Sequence, residues 1–365
     1  MQCRQASQLP STRSRPAAYP EAWNGFAPQP WPPAVSDSRG CIRYSVHSRI
    51  NANMPQPSKG FSLVELLAAL TVTLIVSLAV FELFYSNERI FRDQNMVIEM
   101  QQTARAAASQ LADELRMAGQ GVPVYASTFD HADSESVAVF LSSSGSNRVD
   151  FRAGLSNAET GVTTPVPIDC ALGVPRTLTV GDASPFSDAL GTPVPRGRFV
   201  YIWGPASHST WTWIRAELTD ITADSLTLTP RQGGDSGRSA GSDSIPGTGD
   251  DVIRFSQPPT ASLEEVVSFY LTGTTLKRAT ATDMTNEIRP TWSAANEIGR
   301  NLRFVGFSYY DKHNNQVNPD SLANRRSVAR VDVRIVAGTA GMIRNGAIPT
   351  LLLSFRTIPR NVRVH

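Results

Sequence analysis

The sequence contains few cysteines and carries little net charge. Of its 365 residues only three are cysteines, and Cys170 is the only one beyond the first fifth of the chain. If the beginning of the chain is removed, no intrachain disulfide can form, and stability must come from a buried core. No histidine-bearing motif accompanies Cys170, so we expect a small buried side chain there. The formal net charge of +2 gives no electrostatic reason to expect direct nucleic-acid binding.

The sequence also lacks a recognisable catalytic or metal-binding motif. His131 lies among Asp130, Asp133 and Glu135, but no second group of histidines or cysteines follows at metal-site spacing, and a polar loop is the favoured interpretation. His208 is not part of a nucleophile-elbow motif, and no glycine-rich phosphate loop follows a strand. We therefore expect no catalytic residues, no metal, no other cofactor and no enzymatic activity.

Residues 1–53 are rich in proline, serine and arginine and contain no apolar run long enough to form a core. We expect them to be unfolded and either untranslated or removed from the working protein. Met54 opens a short polar segment, residues 54–60, which has the size of a leader and contains the cation Lys59. The sequence thus favours translation from Met54.

Residues 61–81 form an apolar run, FSLVELLAALTVTLIVSLAVF, of about the length that crosses a bilayer as a helix. A secretory signal peptide would have a shorter apolar core and a small-residue cleavage site. A plain single-pass anchor fits better, because Lys59 supplies the positive flank. Glu65 is the only ionisable residue in the run. Since its insertion costs about 2.5 to 3.5 kcal/mol, it indicates a compensating partner or function.

Residues 59–66, KGFSLVEL, resemble the processing site of the type IV prepilin family. The resemblance implies that a membrane peptidase cuts after Gly60 and methylates the new N-terminal residue, Phe61. It also implies that Glu65 attracts the terminal amine of a neighbouring subunit, so that two charges neutralise each other during assembly. Lys59 provides the leader charge. Many major pilins have a proline where this chain has Glu82, so we expect a continuous helix here.

The sequence beyond the apolar run predicts an amphipathic helix over 82–118. Phe84, Phe91 and Ile98 recur every seven residues, and a second stripe consists of Val97, Ala104, Leu111 and Ala118. The glycines and proline of 119–123 predict the helix end near Ala118. We expect half of the helix to pack on a head; a coiled-coil seam is the alternative.

The rest of the chain predicts a β-rich head over 124–365, and the fold class is α+β: a long N-terminal helix packed on a largely antiparallel β-sheet. Residues 137–141 and 148–152 flank a predicted hairpin turn. Further strands are predicted at 199–203, 210–218, 225–229, 252–255, 266–271, 276–279, 302–310, 328–336 and 350–357. Segments 266–278 and 307–311 resemble strands of large minor pilins of the W type and of the J-type minor pseudopilin.

Two polar or aromatic features of the head have simple interpretations. Residues 232–251 are rich in glycine, serine and aspartate and predict a mobile loop rather than a calcium site, because no EF-hand or nonapeptide spacing is present. Trp203, Trp211 and Trp213 are expected to pack in the core, with a partner-binding surface as the alternative.

These patterns favour a minor pilin, a structural subunit that joins, primes or tips a type IV pilus. The alternatives are a minor pseudopilin of type II secretion and a membrane-anchored adhesin or binding protein. The expected partners are the prepilin peptidase, other pilin or pseudopilin subunits, the inner-membrane assembly platform and membrane lipid. The expected location is the inner membrane, with one span and a periplasmic head, followed by the pilus at the cell surface.

Overall fold

The computed structural model describes residue 60 and residues 62–123, 137–208, 210–245, 248–343 and 346–359. The predictions for residues 1–53, Lys59, Phe61 and the His131 cluster lie outside these described residues. The chain divides into two compact units, Met1–Leu67 and Ala68–His365.

Helix α1 spans Leu63–Arg116, 54 residues without a break. It begins with a capping box: the Ser62 Oγ accepts from the Glu65 N–H at 3.2 Å, and the Ser62 N–H donates to Glu65 Oε2 at 3.3 Å. It ends two residues before the predicted Ala118. Gly119 then has a φ of 81°, a conformation that glycine adopts without steric strain.

The head covers only the last third of α1. The buried helix residues are Met100, Ala104, Ala107, Leu111 and Leu115, spaced by three or four as one face of a helix requires. The predicted stripe through Val97 and Leu111 therefore faces the head core rather than a coiled-coil partner. The other stripe does not, since Phe84 and Phe91 are 66% and 65% exposed. The sequence predicted that half of the helix packs on the head, but only about a third of it does.

The further helices and strands follow α1 in chain order. They are β1 (Arg148–Ala153), β2 (Glu159–Gly161), β3 (Ile168–Ala171), β4 (Arg176–Thr179), α2 (Ser184–Leu190), β5 (Phe199–Pro205), β6 (Trp211–Ile221), β7 (Ser225–Gly233), β8 (Arg238–Ser239), β9 (Val252–Phe255), β10 (Thr260–Leu263), β11 (Glu265–Thr272), β12 (Thr275–Asp283), β13 (Thr291–Trp292), β14 (Asn296–Gly299), β15 (Leu302–Tyr310), β16 (Gln316–Val317), α3 (Leu322–Ser327), β17 (Arg330–Gly338) and β18 (Thr350–Thr357).

The first part of the head, the helix-packed lobe, consists of two sheets around the end of α1. One has the strand order β1-β11-β12-β13, with β14 also paired to β12, and the other has the order β16-β15-β17-β18. Their inner faces contribute Phe151, Phe269, Val305 and Ile335 to a core shared with Leu111 of the helix. The strand pairs are antiparallel. The α+β fold class predicted from the sequence is confirmed.

The second part, the inserted lobe, consists of residues 154–264 and interrupts the first lobe between two paired strands. Ala153 ends β1 and lies opposite Glu265, the first residue of β11, so the chain leaves and returns at one place. The lobe contains a sheet of order β2-β10-β5-β6-β7-β4, a sheet of order β3-β9-β8 and its own core around Phe186 and Phe255. The sequence did not predict this division of the head.

Several predicted segments differ from the structure. Residues 137–141 do not form a strand, although Phe140 bridges Phe151 and the Leu141 N–H donates to the Asp150 carbonyl at 2.9 Å. The predicted loop 232–251 contains the end of β7 and strand β8. Asp251 in that segment is fully buried and pairs with Arg238 at 2.5 Å, so a uniformly solvated loop was the wrong expectation for its described residues.

Candidate processing and assembly site

Gly60 lies three residues before Leu63, the first residue of α1, and is exposed. No atom lies within 4 Å of the position that a Cβ would occupy on this residue. The fold of the chain therefore does not require glycine here by lack of space. A requirement for glycine would come from the enzyme that approaches the backbone, where a side chain would obstruct close contact. Lys59 and Phe61, the neighbours on either side, lie outside the described residues.

Glu65 is exposed in the first turn of α1. Its carboxylate accepts the Ser62 N–H in the capping box, and a negative charge at this end of a helix also interacts favourably with the helix dipole. Glu65 has no ion pair among the residues that the structure describes. Its second carboxylate oxygen accepts no hydrogen bond from any residue in the described ranges. The sequence pattern Ser62-x-x-Glu65 would have been enough to predict the capping box.

The apolar part of α1 is uncovered. An 18-residue window in this helix has a mean hydropathy of 2.4, and none of it is buried within the chain. The polar side chains within the run are satisfied locally, since the Thr71 and Thr73 hydroxyls donate to the Ala68 and Ala69 carbonyls at 2.8 and 2.7 Å. Such bonding is what lipid requires of polar groups. The length, composition and exposure of the helix are therefore those of a membrane span.

Exposed apolar side chains continue along α1 beyond the length of a bilayer. Between residue 82 and the head, Leu83, Phe84 and Phe91 are 62%, 66% and 65% exposed. The same stretch carries charges, including the Glu88–Arg92 pair at 3.1 Å. An amphipathic surface of this kind does not suit the lipid interior, and the head does not reach it. It is available for packing against other helices.

The junction between the two lobes is a charge network, the lobe junction, formed by the buried residues Arg152, Glu264 and Arg215 together with Glu287, whose side chain is 36% exposed. Arg152 Nε and Arg215 Nε lie 2.7 Å from the two oxygens of Glu264. Arg152 Nη2 lies 2.8 Å from Glu287 Oε2, and Arg215 Nη1 lies 2.8 Å from Glu287 Oε1. Arg152 comes from β1 of the helix-packed lobe and Arg215 from β6 of the inserted lobe. Each glutamate therefore joins both lobes.

Burial and charge act in opposite directions at the lobe junction. Burial alone would raise the pKa of Glu264, but the facing Arg215 and Arg152 outweigh it, and the pKa is lowered. The Tyr201 hydroxyl donates to Glu264 at 3.0 Å, and burial raises the pKa of Tyr201, which keeps it a neutral donor. Glu264 is thus ionised at neutral pH, and its two arginine partners join one lobe to the other.

The remaining candidate residues from the sequence are Cys170, the three tryptophans and His208. The Cys170 side chain is buried in the core of the inserted lobe, and burial raises the pKa of its thiol to about 11. Trp213 is 1% exposed, as core packing predicts. Trp203 and Trp211 stack with centroids 5.9 Å apart on the same sheet face and are partly buried. His208 is exposed. No cluster of metal-ligating side chains occurs within the described ranges.

Comparison with known proteins gives one finding for the N-terminal segment. The family model described as the prokaryotic N-terminal methylation motif matches residues 56–81, which include Gly60, the capping box and the apolar half of α1. No curated protein matches the chain. The matched motif is a structural motif of pilins and not that of an enzyme family. Together with the long uncovered helix, it supports a membrane-anchored, type IV pilin-like protein.

Proposed function

We propose that this chain is a minor pilin. After cleavage between Gly60 and Phe61 and methylation of Phe61, it joins a type IV pilus, where it primes or tips the filament. The observation that carries the proposal is the continuity of the methylation motif at 56–81 with an apolar helix that its own head leaves uncovered. A helix that only anchored the protein would need no apolar surface beyond the bilayer, at Phe84 and Phe91.

The size of the head supports the low copy number in this proposal. Residues 154–264 add a complete second lobe, joined to the first by the ion pairs of the lobe junction. Such a lobe on every subunit would hinder close lateral packing of heads around parallel helices. A subunit at the tip of a filament has no subunit above it, so its inserted lobe would not hinder packing there. The proposed location before assembly is the inner membrane, with the head in the periplasm.

Glu65 is the proposed assembly residue. Removal of the leader creates a cationic amine at Phe61, and the open carboxylate of Glu65 on an adjacent subunit is its proposed partner. Each charge alone is unfavourable in lipid, and the pair neutralises both. The pairing sets the register between helices. The proposed partners are thus the prepilin peptidase, other pilin subunits and the assembly platform.

A pair of matched variants tests this role. We expect Glu65→Val to leave cleavage intact and to remove the chain from sheared filaments, because the register contact is lost. Glu82→Val, which removes another exposed carboxylate from the same helix, should leave incorporation within about twofold, as a change outside the pairing site does. Measurement is by quantitative mass spectrometry of filament and membrane fractions. Equal incorporation of both variants would contradict the proposed role of Glu65.

A further inference from the structure

Two edge strands of the helix-packed lobe, β1 in one sheet and β18 in the other, differ in how they are covered. At one edge, residues 139–141 lie against β1, where the Arg152 N–H donates to the Val139 carbonyl at 2.8 Å. At the other edge, β18 pairs with β17 over eight residues without a bulge. Within the described part of the chain, no strand lies on the far side of β18. Its outer backbone groups therefore have no strand partner there.

Strand β18 lacks several of the features that protect an edge strand from pairing, although it carries one exposed charge, Arg356. It contains no proline, no bulge and no inward-facing charge. Its inner side chains, Leu351, Leu353 and Phe355, pack beside the core of the helix-packed lobe but remain only partly buried. Leu352 on the opposite face is 54% exposed. Both faces of this strand would gain apolar contacts from one more strand.

The outer face of the β16-β15-β17-β18 sheet indicates which side chains a strand added to β18 would need. Phe304, Val336 and Leu352 are paired neighbours across three strands and form an apolar row that ends at the open edge. Next to it, Arg334 and Arg356 are exposed, and Arg356 shares Asp332 with Arg330. Residues 300–365 contain eleven Lys and Arg against three Asp and Glu. The face is thus apolar at one end and basic at the other.

We propose that β18 is the docking edge for an extended acidic segment of a neighbouring pilin-like subunit, which adds as a further strand; this inference rests on the proposed function. Main-chain hydrogen bonds to β18 provide the affinity, and alternating side chains provide the specificity. An apolar residue would continue the row beyond Leu352, and acidic residues would face Arg334 and Arg356. A second copy of this basic edge is disfavoured as the occupant by like charge.

The test uses the full chain in cells that assemble filaments. The photo-reactive amino acid benzoylphenylalanine replaces Leu352, and in a matched control it replaces Val174, an equally exposed apolar residue of the inserted lobe. We expect Leu352 to crosslink a subunit with a methylated N-terminus, at a segment with net negative charge. The Val174 probe should not give this adduct.

Charge reversal tests the specificity of the contact. The double substitution Arg334→Glu and Arg356→Glu should lower the adduct yield by about tenfold, and acidic-to-basic changes in the crosslinked segment should restore it. Arg289→Glu changes an exposed arginine outside this sheet and should have no effect. Folding of each variant is checked by protection of the Cys170 thiol from labelling.

Three results would overturn the docking edge while leaving the proposed function in place. They are a processed, filament-incorporated chain that gives no adduct at Leu352, an adduct with a second copy of this chain, and an adduct unchanged by charge reversal. A chain that is neither cleaved at Gly60 nor found in filaments would overturn both inferences. The state of the N-terminus in the same samples distinguishes these outcomes.

Discussion

Replacing Glu264 by glutamine tests whether the lobe junction holds the head together. Glutamine has nearly the same shape, so the substitution leaves no cavity; it removes the charge that faces Arg152 and Arg215 and turns one of the two acceptor oxygens into an N–H donor. All three side chains are at most 4% exposed, so water cannot replace the lost carboxylate. Breaking a buried ion pair in this way costs about 3 to 5 kcal/mol. We expect the lower end of that range, because Glu287 still bridges both arginines.

The assay is urea unfolding of the processed chain in detergent, followed by tryptophan fluorescence and by labelling of the Cys170 thiol. With a denaturant slope of about 3 kcal/mol/M, a loss of about 3 kcal/mol lowers the midpoint by about 1 M. The matched control is Glu297→Gln, whose partner Arg300 is 74% exposed. An exposed pair contributes about 0 to 1 kcal/mol, so the control midpoint should barely change. Equal midpoint shifts for the two variants would refute the reasoning.

Three further predictions concern the lobe junction, the core of the inserted lobe and the two stripes of α1. The pKa of Glu264 is lowered from 4.5 in the folded chain. The contribution of the ionised Glu264 side chain to stability is therefore complete above pH 4.5 and is lost as the pH falls through the lowered pKa. Urea midpoints at pH 7 and pH 4 should differ less in Glu264→Gln than in the wild type. The thiol of Cys170, buried and with a pKa of about 11, should react with a maleimide at pH 7 only when the inserted lobe opens, and labelling as fast as that of the urea-unfolded chain would contradict its burial. Leu111→Ala should lower the free energy of unfolding of the isolated chain by about 2 to 5 kcal/mol, whereas Phe84→Ala should leave it unchanged within about 0.5 kcal/mol and reduce incorporation into filaments; an equal loss of stability in both would contradict the separation of the two helix stripes.

The N-terminal part of the molecule could be predicted because its signals are local. An apolar run, a seven-residue stripe and a Gly119–Pro123 stop each depend on residues within a few turns of one another. The same logic would have given the capping box of Ser62 and Glu65. The extent of head packing could not be predicted in this way. Phe84 and Leu111 look alike in the pattern, and only the position of the sheets decides which of them is buried.

The two-lobed head depends on contacts between residues far apart in the chain. Arg152 and Glu264 are 112 residues apart, and nothing near either residue in the sequence indicates the other. Strands β2, β3, β4 and β8 have two to four residues, too few for a periodic signal. Their pairing partners stabilise them, and sequence propensity does so less.

The docking edge shows a similar limit. The sequence of β18, TLLLSFRT, contains three consecutive leucines and a phenylalanine, which predict a strand. Its bounds were therefore correctly predicted, but its place at the edge of the sheet was not. The basic charge of 300–365 is hidden in a net charge of +2 because other segments are acidic. Counting charge by segment would have shown the contrast.

The central claim is that this chain is processed as a prepilin. The most direct test is mass spectrometry of the N-terminus of the membrane-extracted protein, with the prepilin peptidase present and absent. The account predicts a mature chain that begins at N-methylated Phe61 only when the peptidase is present. A chain that retains Lys59 and Gly60 under both conditions would contradict the account and leave α1 as a plain membrane anchor.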